Sequence, residues 1–266
     1  MMNMKRVSLL CAAIVAVVCS ILPASAQYYR TTHVEDLQMH SGFQVSGKLA
    51  DRWGVVWGEE LYFGNNISQF QKLYSRVMLH YYLKPNLTLS PMVMHIINTP
   101  SKEHTMVYDM NVIYTHRIDR LAITLRGGTR VQDNLSAVEV DRVVKPATEL
   151  LARAHVAVAY RASEQLEPFA NIESFLILNP ATCKMMPDGA NRNPYTYTVG
   201  YYPTRLRSNV GFKWHINSNN ILSFYWRYDH TQSKHLNLSI VGKELYGIIT
   251  AKRTNNFVGV FYDYKF

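Results

Sequence analysis

The sequence predicts an all-β chain closed into a transmembrane, antiparallel up-and-down β-barrel. Three observations predict it. Segment after segment alternates apolar and polar residues with a period of two. Short connections take turns with longer polar ones along the chain. Charged residues make up only 18% of the 266, while 18 Tyr, 10 Phe and 4 Trp run through the chain. This composition excludes disorder. It also excludes a helical membrane protein, which needs about 20 consecutive apolar residues per span, because the one such stretch sits at the N-terminus. A mean hydropathy of -0.12 is then the average of a lipid face and a polar lumen.

At the N-terminus, Lys5 and Arg6 precede an apolar run from Val7 to Leu22, followed by Pro23, Ala24, Ser25, Ala26 and Gln27. This is the layout of a secretory signal peptide over residues 1–26, leaving 27–266 as a single barrel domain. Val18 stands before Cys19 where a lipoprotein signal wants a small residue, so no lipid anchor is expected. Cleavage removes Lys5 and Arg6 and lowers the formal net charge from +9 to +7. It also removes Cys11 and Cys19, and Cys183 alone can form no intramolecular disulfide and no two-cysteine zinc or redox motif. No cofactor and no metal set is indicated.

Strands follow in order. Phe43 to Leu49, Trp53 to Phe63, Gln69 to Leu83, Leu87 to Asn98 and Thr105 to Arg117 read as strands with partly mixed faces. Glu59 and Glu60 fall on opposite faces of the second, so one carboxylate sits near an interface or snorkels. Pro91 implies a bulge or a site of weak pairing. The pattern then sharpens. Leu121, Ile123, Leu125, Thr129 and Val131 oppose Thr124, Arg126, Arg130 and Gln132; Ala152, Ala154, Val156, Val158 and Tyr160 oppose Arg153, His155 and Arg161. After Pro168 to Leu178, Val210, Phe212 and Trp214 oppose Arg207, Asn209 and Lys213, and Leu222, Phe224, Trp226 and Tyr228 oppose Ser223, Tyr225, Arg227 and Asp229. In the last strand Val258, Val260, Tyr262, Tyr264 and Phe266 oppose Gly259, Phe261, Asp263 and Lys265.

Short turns are expected at Ala50 to Arg52, Lys84 to Asn86, Ile118 to Arg120, Ser163 to Gln165 and Asn217 to Asn219. The longest connections are Asn134 to Glu149, Asn179 to Thr196 and Thr231 to Asn255. Short turns on one rim and long loops on the other is the asymmetry of an outer-membrane barrel, with turns in the periplasm and loops outside. Bacterial single-chain barrels have even strand counts, so a further strand through Tyr28 to Val34 would give about twelve, and omission of Phe43 to Leu49 about ten. Strand-like pieces within Leu236 to Thr250 read as an upward extension of the last outer loop.

Val260, Tyr262, Tyr264 and the terminal Phe266 resemble the C-terminal β-signal read by the barrel-assembly machinery of Gram-negative bacteria. The barrel-assembly and general secretion machineries are therefore expected partners, and the outer membrane the expected location. From about Leu37 to Phe266 the chain also resembles the uncharacterised outer-membrane barrel family known as domain of unknown function 2490. The residues carrying the resemblance are Trp53, Trp57, Glu59 and Glu60, then Arg126, Arg130 and Arg153, then Pro168, Phe169 and Glu173, then Arg205 and Arg207, and finally the segment ILSFYWRYDH. The resemblance implies a fold and transfers no residue role. The loops around Cys183 and after His230 are longer than in the simplest members.

Function is sought on the inner face. Arg126, Arg130, Arg153, Arg207, Lys213 and Arg227, with Arg76 and Arg161, would line a basic lumen, with Glu173, Asp109, Asp229 and Asp263 as acidic partners. Either these groups satisfy one another and plug a narrow barrel, or they favour small acidic solutes in a narrow anion path. A third reading is a lipid hydrolase, requiring a Ser within hydrogen-bond reach of a His on the outer wall; His80, His95, His116, His155, His215 and His230 supply bases. Lys184, Arg192, Lys234, Lys243 and Lys252 could pair with lipopolysaccharide phosphates. No basic helix or basic run suggests nucleic acid.

Overall fold

A computed structural model describes residues 32–134, 143–144, 148–179, 182–185, 195–198, 201–238 and 245–266. The expected signal peptide lies outside them, as do Arg192 and Lys243. Fourteen strands are described: β1 (Thr32–Ala50), β2 (Trp53–Gly64), β3 (Gln69–Lys84), β4 (Leu87–Asn98), β5 (Glu103–Ile118), β6 (Leu121–Asn134), β7 (Val143–Val144), β8 (Thr148–Tyr160), β9 (Leu166–Ile177), β10 (Thr182–Met185), β11 (Tyr195–Thr198), β12 (Pro203–His215), β13 (Asn220–Leu238) and β14 (Leu245–Lys265). No helix occurs among these residues.

Eleven of the strands form a closed wall. They pair antiparallel in the order β1, β2, β3, β4, β5, β6, β8, β9, β12, β13, β14, and β14 returns to β1. The short β7 pairs with β13, while β10 and β11 form a separate hairpin.

The expected count of about twelve, or ten, is thus corrected to eleven. Of the two segments that the sequence offered as alternatives, Phe43 to Leu49 and the described end of Tyr28 to Val34, from Thr32 on, are parts of the single 19-residue β1; residues 28–31 lie outside the described residues. Its lower part pairs with β2, and most of its length pairs with β14. With eleven strands the first and last run in the same direction. The closing pair is therefore parallel, from Thr32 opposite Ala251 to Ser46 opposite Lys265, and the wall is not antiparallel throughout. Chain direction follows: β1 starts at the loop rim, while Phe266 ends at the short-turn rim.

The turns Asp51–Arg52, Pro85–Asn86, Asp119–Arg120, 161–165 and 216–219 lie on the short-turn rim. On the opposite rim the first two connections, 65–68 and 99–102, are also short; the long ones run from β6 to β8 and from β9 to β12. The expected loop from Thr231 to Asn255 is mostly strand, because β13 and β14 continue pairing up to Leu238 opposite Leu245. Pro91 causes no shift of register. It leaves a gap in the ladder between β3 and β4, which the Ser90 hydroxyl partly fills by donating to the Leu79 carbonyl at 3.2 Å.

The parallel seam is closed by shape. A Cβ on Gly47 would lie 2.4 Å from the Phe266 ring, and on the adjoining antiparallel pair one on Gly259 of β14 would lie 2.2 Å from the Tyr225 ring of β13, which itself lies 5.7 Å from the His40 ring of β1. Each ring occupies the notch that a missing side chain leaves. The Phe266 N–H donates to the Ser46 carbonyl at 2.9 Å and extends the seam to the last residue.

Burial is inverted relative to a water-soluble protein. Val77, Met110, Val210, Trp214 and Trp226 are exposed on the outside of the wall, while Glu60, Asp109, Asn111, Glu173 and Asp229 are buried inside it. An apolar patch also exists within, where Met92, Met94 and Val107 pack with Tyr74, Met78 and Ile96.

Candidate functional site

Alternation directs every second residue of each wall strand into the lumen, and register decides which of them meet. Asp229 on β13 stands opposite Arg207 on β12, Arg207 opposite Glu173 on β9, Glu173 opposite His155 on β8, and His155 opposite Arg126 on β6. Separately, Asp109 on β5 stands opposite Arg130 on β6.

These placements generate a ladder of ion pairs. Asp109 accepts from Arg130 Nε at 2.7 Å and Nη2 at 2.8 Å, a two-pronged pair, and from Arg153 Nη1 at 2.8 Å. Arg153 continues to Glu173 with Nε at 2.6 Å, and Glu173 accepts from Arg207 Nη1 at 3.4 Å. Arg207 Nη2 reaches Asp229 at 3.3 Å, and Asp229 also accepts from Arg205 Nε at 2.7 Å. The guanidinium carbons of Arg130 and Arg153 lie over the Phe175 ring at 4.8 and 5.5 Å from its centroid. Charge alternates along the ladder, so each buried carboxylate is compensated.

A second cluster lies by the seam. Glu60 accepts from Arg76, from Tyr62 OH at 3.0 Å, and meets His40 Nε2 at 3.1 Å. Arg227 on β13 spans the lumen to donate to Tyr62 OH at 3.1 Å, and its Nε donates to Asn209 at 2.7 Å. Near the short-turn rim, Lys213 donates to Glu167 at 2.6 Å.

The space between these groups is segmented. A cavity of about 490 Å³ on the loop side is bordered by eight cationic side chains, Lys72 among them. A smaller cavity of about 210 Å³ shares Glu60, Arg76, Asn171, Asn209 and Arg227 with it, so these five form a neck. Ser223 and Phe261 border both that cavity and one of about 370 Å³ that is lined by Arg117, Arg161, Lys213, His215 and Lys265. Carboxylates and cations differ in their partners. Glu60, Asp109, Glu167, Glu173 and Asp229 all hold a cation, and Asp263 accepts from Ser46. Lys72, Arg126 and Arg117 border the cavities without an ion pair among the described residues.

All the residues expected in the lumen point into it. Arg130, Arg153 and Arg207 meet Asp109, Glu173 and Asp229 in the ladder; Arg227 joins the seam cluster, Lys213 the lower cavity, and Arg126 stands apart. Sequence reasoning gave no lumen role to Arg205, Lys72, Glu60, His40 or Tyr62. Parity could have found them: Arg205 shares its face with Arg207, and Glu60 shares its face with Gly54 and Gly58, opposite Trp53 and Trp57.

The outer wall has its own polar groups. Glu59 faces outward and accepts from the Ser75 hydroxyl at 2.6 Å, while His95 Nε2 and His104 Nδ1 lie 3.1 Å apart. Ser75 and His95 are opposite in register, but each is engaged elsewhere. A serine that does meet a histidine, Ser90 with His80 Nδ1 at 2.8 Å, is fully buried on the lumen side. Neither arrangement supplies the outer-wall nucleophile and base that hydrolysis of lipid would use. Among the described residues no group of three or more His, Cys, Asp or Glu is placed to hold a metal ion. Val260, Tyr262, Tyr264 and Phe266 lie on the outer face of β14, beside the seam.

A family model described as "Protein of unknown function (DUF2490)" matches residues 37–239. No curated protein matches the chain.

Proposed function

For a chain that belongs to the DUF2490 family of proteins of unknown function, we propose an outer-membrane barrel whose segmented, basic lumen admits small anions. The membrane reading is supported by the apolar outer wall. Away from the rims its outward positions hold one carboxylate, Glu59, and no Lys or Arg among the described residues. Export through a cleaved signal at residues 1–26, and recognition of β14 by the barrel-assembly machinery, complete the proposal.

One observation carries the anion preference. The lumen carboxylates are partnered, whereas cations at successive levels, Lys72, Arg126 and Arg117, are not. The electrostatic field available to a solute is therefore positive from the loop-side cavity to the short-turn rim. The neck at Arg76 and Arg227 favours the second reading, a barrel plugged by its own side chains.

Planar-bilayer recording separates the two. Under a salt gradient the path predicts small conductance steps with an anion-selective reversal potential, moved toward zero by replacing Lys72, Arg126 and Arg117 with Ser. Absence of any conductance from a correctly folded barrel establishes the plug.

A further inference from the structure

Arg126 is the cation that the ladder leaves out. On one side register sets Ile113 of β5 beside it, and on the other His155 of β8. Its next inward neighbour on β6 toward the loop rim, Gly128, has no side chain to offer. The nearest carboxylate along the row, Glu173, lies two strands away, about 10 Å by strand spacing, and is held by Arg153 and Arg207. Asp109 is held by Arg130 and Arg153. Arg126 consequently makes no ion pair and no hydrogen bond among the described residues; the positive fields of Arg153 and Arg76 add to its own, and Glu173 and Asp109 oppose them only from a distance, neither being in contact with it. Next to it, the Nδ1 of His155 is buried without a hydrogen-bond partner. Both side chains border the 490 Å³ cavity.

An enclosed guanidinium with no counter-ion and an adjacent unsatisfied ring nitrogen are each costly. What the pair lacks is an acceptor carrying negative charge. Building on the basic-lumen reading, we propose that Arg126 and His155 form a binding site for a small oxyanion, a carboxylate or phosphate group, entering from the loop side. The guanidinium fork matches two oxygens of either group. The imidazole adds a third bond in the tautomer that carries its proton on Nδ1. A cavity of this size accommodates a small organic acid or phosphate ester and leaves little room for an oligomer.

The test is calorimetric titration of the barrel folded in detergent micelles with inorganic phosphate and, separately, with succinate. Saturable binding of at least one anion is expected, and the stronger of the two identifies the headgroup. Arg126→Gln should weaken it about tenfold or more, as loss of a charged hydrogen-bonding partner does, and His155→Phe by a smaller factor. Lys48→Gln removes one positive charge at the opposite rim and should leave the affinity unchanged. A heat-dependent gel shift confirms that each variant is folded. The site is refuted if wild-type protein binds neither anion, if folded Arg126→Gln binds as well as wild type, or if Lys48→Gln weakens binding equally. Bilayer recording keeps the two readings apart. Anion selectivity without saturable binding retains the path and rejects the site; saturable binding without conductance retains the site and rejects the path.

Discussion

The two halves of the inner wall are held together by different physics. From β5 to β13 the lumen is lined by a ladder in which Arg130, Asp109, Arg153, Glu173, Arg207 and Asp229 alternate in charge. From β14 through β1 to β4 it is lined mainly by rings and thioethers: Phe257, Phe261, His40, Tyr62, Tyr74, Met78, Met92 and Met94. The difference coincides with the seam. A parallel closing pair has slanted, slightly weaker hydrogen bonds than its antiparallel neighbours, and here it is reinforced by rings seated in glycine notches. The ladder half is fastened by charge and the seam half by shape, so substitutions should separate them.

The largest effect is expected at the seam. Gly259→Leu places a side chain where the Tyr225 ring of β13 sits, 2.2 Å from the first added carbon, and displaces a ring that lies 5.7 Å from the His40 ring of β1 across the seam. The expected outcome is loss of the compact, faster-migrating band in unboiled detergent gels. Retention of that band at wild-type intensity would show that the notch is not what closes the barrel.

Much of this division could be read from the chain, and the unread part has a physical reason. Alternation was legible because each face meets one environment along a whole strand. Thus Val210, Phe212 and Trp214 separated from Arg207, Asn209 and Lys213 by inspection. Strand number was not, since β1, at 19 residues, is about twice as long as an ordinary strand and invites division. The ladder's members were legible singly, but pairing depends on register between strands distant in sequence. Asp109 and Arg153 are 44 residues apart, and no local pattern announces their 2.8 Å contact. The isolation of Arg126 was invisible for the same reason.

The second prediction concerns the ladder. The Asp109 side chain is fully buried and serves Arg130 and Arg153 together. Asp109→Asn keeps the volume but leaves Arg130 without its charge partner and Arg153 with Glu173 alone, and breaking a buried pair on one side costs about 3 kcal/mol. Urea unfolding of the barrel in lipid vesicles should show a lower midpoint with an unchanged slope. The closed band should survive, in contrast to Gly259→Leu. Equal loss of the band in both would mean that charge and shape are not separate fastenings.

The smallest effect lies at the loop rim, above the end of β2, away from both the ladder and the glycine notches. Asn65, Asn66 and Ile67 take φ values of 51°, 55° and 69°, a left-handed run that is unfavourable for a branched residue such as Ile67. Asp36 holds this turn by accepting from the Asn66 N–H at 2.9 Å and the Asn65 N–H at 3.1 Å. Burial alone would raise its pKa. The two N–H groups, the Gln38 amide and Arg253 outweigh that, and the carboxyl is held below its ordinary value of 3.8. A depressed pKa means stabilisation that is complete above the ordinary value and lost as pH falls through the lowered one. Asp36→Ala should therefore speed protease cleavage within 65–68 at neutral pH, by an amount equivalent to about 1 kcal/mol, the usual cost of losing such a cap. With an acid-active protease the difference between variant and wild type should shrink as Asp36 protonates. A difference that persists undiminished in strong acid would mean that the turn is held by packing, as the seam is, and not by charge.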